Sequence, residues 1–151
     1  RKLKLAFSFL MTIPFAPMIY YGDEFGLTGA HDPDNRRQMR FGKQLTAHEQ
    51  NVLAYICRLI KIRNTYSVFR RGDFIPLEVE PEYYVYLVCG FNSVGIVILS
   101  RNYNGMIKIK LPKFIKSNKF VNEINGLVVN SESGILTLEL TEYTADILIS
   151  Q

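Results

Sequence analysis

The chain of 151 residues holds only two cysteines, Cys57 and Cys89. That is too few for a disulfide framework, and their spacing fits no zinc site. Both are expected as buried, reduced thiols, which favours a reducing, cytoplasmic compartment. No cluster of His, Cys, Asp and Glu has metal-ligand spacing, so no metal and no cofactor are expected. Neither His31 nor His48 has partners for nucleophilic catalysis. The longest apolar stretch, around Leu5 to Ile13, is too short to span a bilayer, so no membrane partner is expected. No leader, repeat or low-complexity segment is visible, and the chain starts without Met. The formal net charge is +4, yet the basic residues form no stripe. The densest group is Arg36, Arg37, Arg40 and Lys43, which does not make a nucleic-acid surface.

What is present is enough apolar material for a core: 48% of residues are hydrophobic and 21% charged. Character changes near residue 73. Lys2–Ile13 reads as a helix that is apolar on most sides, stopped by Pro14 and Pro17. Met18–Tyr21 is a continuous apolar run, as expected of a strand buried on both faces of a parallel sheet. Thr46-Ala47-His48-Glu49 has the spacing of a capping box and opens a helix running to about Asn64. Its apolar residues cover roughly 220° of the helical wheel, so two packing partners are expected. From Asp73 on, short β-type runs follow: Phe74–Val79, Tyr83–Cys89, Gly95–Ser100, Met106–Leu111, Lys119–Ile124, Leu127–Val129, Ile135–Leu140 and Ala145–Ile149. Asn104-Gly105 and Asn125-Gly126 are tight-turn dipeptides. Clean alternation, as in Ile107-Lys108-Ile109-Lys110-Leu111, predicts an antiparallel sandwich.

Pro17-Met18-Ile19-Tyr20-Tyr21-Gly22-Asp23-Glu24, then Gly26-Leu27-Thr28-Gly29 and Asp32-Pro33-x-x-Arg36-Arg37, resemble the end of the catalytic barrel in α-amylase-family glycoside hydrolases. The resemblance is to the cyclomaltodextrinase, neopullulanase and maltogenic-amylase branch. Ile62-Arg63-Asn64 and Phe69-Arg70-Arg71-Gly72-Asp73-Phe74 resemble the junction into that family's C-terminal β-domain. Phe15-Ala16 stands where the family usually has Gly-Thr, and Gln38 where Pro is common. Ala30-His31 replaces a Gly pair.

The resemblance implies a fold class of α+β type. Residues 1–72 would be the last helix-strand-helix portion of a (β/α)8 barrel. Residues 73–151 would be an all-β, Greek-key sandwich. The family cleaves α-glucosidic bonds with retention, using carboxylates at the C-terminal mouth of the barrel on strands four, five and seven. This chain would begin after the seventh strand, so no catalytic residue is expected in it. Asp23 and Glu24 are adjacent, would point to opposite faces of a strand, and are expected to shape the barrel rim.

The expected substrate-binding residues are Asp32, Arg36 and Tyr21. A carboxylate accepts from vicinal sugar hydroxyls while a guanidinium donates to them, and an aromatic face can stack on a sugar ring. The bland alternative for Asp32 and Arg36 is an ion pair within the loop. The implied partners are α-glucan oligosaccharides or cyclodextrins, with a homodimer formed through the apolar N-terminal helix and strand. A second reading is a non-catalytic β-sandwich that binds glucan or packs on another domain. Tyr83, Tyr84 and Tyr86 are its aromatic candidates, although Tyr84 and Tyr86 share a face with Val88, as core residues do.

Overall fold

The computed structural model describes all residues, 1–151. Helix α1 spans Lys2–Thr12. Pro14 and Pro17 forbid its continuation, because proline lacks the N–H that the next turn needs. Helix α2 spans Ala47–Thr65 and opens with the expected box: Glu49 N–H donates to Thr46 Oγ1, and Thr46 N–H donates back to Glu49 Oε2 at 2.8 Å. A single turn, α3 (Val68–Arg71), leads into the sheet. It ends at Gly72, where a Cβ would lie 2.6 Å from the Val68 carbonyl oxygen, so only glycine fits.

The strands are β1 (Asp73–Val79), β2 (Tyr83–Cys89), β3 (Val94–Ser100), β4 (Gly105–Lys110), β5 (Lys119–Asn122), β6 (Val128–Glu132), β7 (Ile135–Leu140) and β8 (Thr144–Ser150). They form one antiparallel sheet of eight strands in the order β1-β2-β3-β8-β5-β6-β7-β4. β4 crosses to the far edge, and β8 returns to lie between β3 and β5. The sheet curls so that its two ends enclose a core. Val85, Leu87, Ile96, Ile98 and Leu148 meet Ile107, Ile109, Leu136 and Leu140 there. Pairs within a sheet twist relative to one another, and accumulated twist lets a wide sheet close on itself.

The other face of β2, β3 and β8 packs on the helices. Tyr86, Val88, Val97, Ala145, Ile147 and Ile149 form a second core with Phe7 and Met11 of α1, Ile56 and Leu59 of α2, and Phe69 of α3. Burial on both faces explains why β2 and β3 read as nearly unbroken apolar runs rather than alternating ones. Tyr86 is fully buried, in line with its reading as core. Its hydroxyl bonds the Thr12 hydroxyl, and Ser8 Oγ bonds the Tyr55 hydroxyl at 2.8 Å. These contacts satisfy the polar groups that α1 buries.

Three expectations are corrected. Met18–Tyr21 forms no strand: Met18 is 78% and Tyr20 51% exposed. A strand needs a neighbour to take its N–H and C=O groups, and none of the eight strands of the sheet lies beside this run. Helix α1 is not left unpartnered, because α2 and the sheet cover its Phe7–Met11 face. Cys57 is exposed on the outer side of α2, while Cys89 is half-buried.

Candidate functional site

The loop between α1 and α2 is built from short turns. Gly22 (φ 88°) and Gly26 (φ 79°) bracket a 3-10 turn at Asp23–Phe25. A Cβ on Gly22 would sit 2.6 Å from the Leu27 side chain, so glycine is required both for its positive φ and for space. Phe25 is buried, with the Arg40 guanidinium 5.5 Å from its ring centroid. Arg40 also grips the Glu49 carboxylate with both terminal nitrogens. Arg40, with the Thr46 N–H, pulls the Glu49 pKa down to about 2. The capping box and the loop are thereby tied into one anchor.

Asp32 and Arg36 meet as the loop-internal ion pair, Nε to Oδ1 at 2.9 Å, and both side chains are more than half exposed. Tyr21 lies apart from that pair. Its hydroxyl donates to the Arg37 carbonyl at 3.2 Å, and its ring tilts against Tyr20 with centroids 4.7 Å apart. Tyr20, Tyr21, Asp23, Leu27 and Asn35 line a small concavity of about 250 Å³. The structure therefore brings Tyr21 to a hollow and leaves Asp32 and Arg36 on the solvent side of the same loop.

Asp23 and Glu24 sit on the 3-10 turn rather than on a strand. Asp23 Oδ2 accepts the Tyr20 N–H at 3.3 Å, whereas Glu24 Oε2 is buried with no hydrogen-bond partner. His31 and His48 are exposed. No group of three or more His, Cys, Asp or Glu could hold a metal ion, and no helix is long and apolar enough to cross a membrane.

Sequence reasoning missed the residues that shape the loop. Asp34 takes two bonds from Arg37, both at 2.8 Å, and the Ala30 N–H at 2.7 Å. The Arg37 guanidinium, helped by that N–H, holds the Asp34 carboxyl below its ordinary value. The i,i+3 spacing of Asp34 and Arg37 was the available signal. Arg63 was also missed as a structural residue. Its buried guanidinium donates to the carbonyls of Met11 (2.9 Å), Ile13 (2.8 Å), Phe69 and Phe15. It thus binds carbonyls at and just beyond the C-terminal end of α1 and ties them to α3, and a cation there is also favoured by the helix dipole.

A curled antiparallel sheet backed by helices, with a Gly, Asp and Arg-rich loop at one end, is the arrangement that this chain shares with solved α-amylase-family enzymes. An α-amylase of Geobacillus thermoleovorans, solved with acarbose, superposes with a TM-score of 0.85 over 99% of this chain and 33% of its own, at 25% identity. A cyclomaltodextrinase of Geobacillus thermopakistaniensis (strain MAS1) is 32% identical over 145 residues, which is 95% of this chain and 24% of that protein. Neopullulanase 2 of Thermoactinomyces vulgaris is 30% identical over 152 residues, 97% of this chain and 25% of that protein. The chain resembles, over its whole length, the C-terminal part of α-amylase-family glycoside hydrolases, and it spans about a quarter of these two curated relatives. No protein-family model matches it.

Proposed function

We propose that this chain is the C-terminal part of a retaining α-glucan hydrolase that acts on cyclodextrins, pullulan or maltooligosaccharides. Residues 1–72 would complete a (β/α)8 barrel and residues 73–151 would be its β-domain. The observation that carries the reading is the identity to a cyclomaltodextrinase along nearly the whole chain, with the Tyr21 to Arg37 loop inside the matched span. The run Met18–Tyr21, with no strand beside it, supports the barrel assignment: it would be the eighth strand, awaiting parallel neighbours from outside the chain. The same exposed run supports self-association as a homodimer when the chain is isolated.

Asp32 and Arg36 would contact glucose units, with Tyr21 stacking nearby. The pair closes on itself in the free chain, but an exposed ion pair is worth only about 0–1 kcal/mol. A sugar diol can therefore open it at little cost, giving its hydroxyl protons to Asp32 and accepting from Arg36. The chemistry of bond cleavage needs two carboxyls flanking one glycosidic bond. Asp23 serves the local turn and Glu24 is buried, so the catalytic carboxylates are assigned to the part of the enzyme outside this chain.

Titration with maltotriose and α-cyclodextrin tests the reading. The native chain is expected to bind, and Asp32→Ala to weaken binding severalfold without loss of fold. Equal binding by both would remove Asp32 from the site. Release of reducing sugar by the chain alone, abolished by mutating one of its own carboxylates, would overturn the assignment of catalysis elsewhere.

A further inference from the structure

A groove of about 440 Å³ runs between α1 and the end of the sheet formed by the β1–β2 turn, the end of β3 and the turn before β8, lined by seven hydrophobic and four other residues. None of the loop residues Tyr21, Asp32 or Arg36 borders it. Its walls carry Phe9 from α1, Tyr84 from β2 and Tyr143 from the turn before β8. The Phe9 and Tyr84 rings are 6.5 Å apart and tilted by 47°, so they form a continuous aromatic surface. Phe9 is 38% exposed, although Phe7, Ser8, Met11 and Thr12 of the same helix are buried.

Charge is placed among these rings. Lys2, Glu80 and Arg101 all line the groove. None of the three takes part in an ion pair: the four salt bridges of the molecule lie elsewhere. Their side chains make no hydrogen bond within the chain either; the Lys2 ammonium lies 5.7 Å from the Tyr143 ring centroid. Two donors and one acceptor thus stand free around apolar ring faces. Tyr143 has φ 54°, a conformation that a bulky side chain rarely adopts. Strain of this kind persists where surrounding contacts enforce it, and it clusters at ligand sites.

A concave surface of this volume, mostly apolar with a few convergent polar groups, is suited to a small ligand. An acidic ligand would face Glu80, and a basic one would face Lys2 and Arg101. A neutral polyol fits all three. Its C–H faces stack on Phe9, Tyr84 and Tyr143, and its hydroxyls reach both donors and the acceptor. We infer that the groove between α1 and the β1–β2 hairpin is a second glucan-binding site, taking one stretch of a linear maltooligosaccharide. The choice of an α-glucan as the polyol rests on the function proposed above; the presence of a polyol site rests on the groove.

The test is a titration of the chain with maltoheptaose, followed residue by residue by NMR. Shifts are expected at Phe9, Tyr84 and Tyr143 as one group. Tyr143→Gly removes a ring while relieving the positive φ, so the fold is retained. It should weaken binding at this group about five- to ten-fold. Arg101→Ala and Glu80→Ala, both at exposed positions, should weaken it severalfold, whereas Asp32→Ala should leave it unchanged. Shifts confined to Tyr21, Asp32 and Arg36 would overturn the groove site and leave the proposed function standing. Shifts at the groove alone would support this site and count against the loop. Silence at both places would overturn both.

Discussion

The central strands of the sheet and the loop between α1 and α2 bury their apolar residues to very different degrees. In residues 73–151 the central strands β2, β3 and β8 are covered on both faces, and Val85, Tyr86, Leu87 and Val88 are fully buried in succession. In the loop between α1 and α2, Phe15 is 70%, Met18 78% and Phe41 67% exposed. The residue types are equally apolar; what differs is whether the chain supplies partners. A sheet that curls on itself provides its own second layer. A lone β-type run between two helices cannot, and of its backbone groups only those of Tyr20 are bonded, to the Asp23 turn. Under the function proposed above, the contrast is that between the end of a barrel without its other strands and a self-sufficient β-domain.

The largest effects belong where the halves meet. Phe69 of α3 is fully buried against both the helices and the sheet. Phe69→Ala is expected to cost about 3–5 kcal/mol and to lower the urea midpoint of helices and sheet together. Met18→Ala, in the exposed run, should stay within about 0.5 kcal/mol. If the helices lost stability while the sheet kept its midpoint, the shared core would not couple the two regions.

Arg63→Met comes next. It strips the Met11, Phe15 and Phe69 carbonyls of their side-chain donor, and the Met11 and Phe69 bonds are buried. A loss of about 2–3 kcal/mol is expected. Amide exchange should accelerate in α1 and much less in β3. Arg63→Lys should rescue little, since an ammonium lacks the planar fork that reaches all of them.

The smallest effects are electrostatic. Glu49 is held well below its ordinary pKa, so its contribution is complete above about pH 4.5 and is lost as pH falls toward about 2. Asp146 is shifted the other way: burial raises its pKa, against the hydrogen bond from Asn122. Its folded state therefore favours the protonated form, so this group opposes stability at neutral pH and does so less as pH falls through its folded pKa. Asp146→Asn should raise neutral-pH stability by about 0.5–1 kcal/mol, and Glu49→Gln should flatten the acid limb of the melting-temperature profile. The loop and the sheet would thus respond to acid with opposite signs.

Much of the β half was legible because alternation and turn dipeptides act locally. All eight strands were foreseen to within a few residues, and Gly126 sits at the expected positive φ. The two-residue turn at Ser133-Gly134, with φ of 51° and 76°, was missed although its dipeptide is a turn signal. The capping box at Thr46 was legible for the same local reason. Met18–Tyr21 misled because apolar content predicts a strand only when neighbours exist. Cys57 misled because a wide apolar arc on α2 does not say which edge stays in water. Arg63 and the Ser8 and Thr12 hydroxyls were invisible, since their partners lie far away in sequence: Arg63 reaches back to Met11, Tyr55 meets Ser8 and Tyr86 meets Thr12. Within the loop, Asp32 and Arg36 were found as a pair, but the frame set by Asp34 and Arg37 was not.

Hydrogen exchange of the isolated chain separates the two regions most directly. Amides of Val85–Val88 and Ile96–Leu99 should exchange only through global opening, since both their faces are buried. Amides of Met18, Ile19 and Tyr21 should exchange with little protection at the same pH and temperature. That pattern would mark the first as a completed sheet and the second as a strand awaiting neighbours. Protection of Met18–Tyr21 equal to that of β3, in a chain shown to be monomeric, would contradict the reading of this run as an unfinished barrel strand.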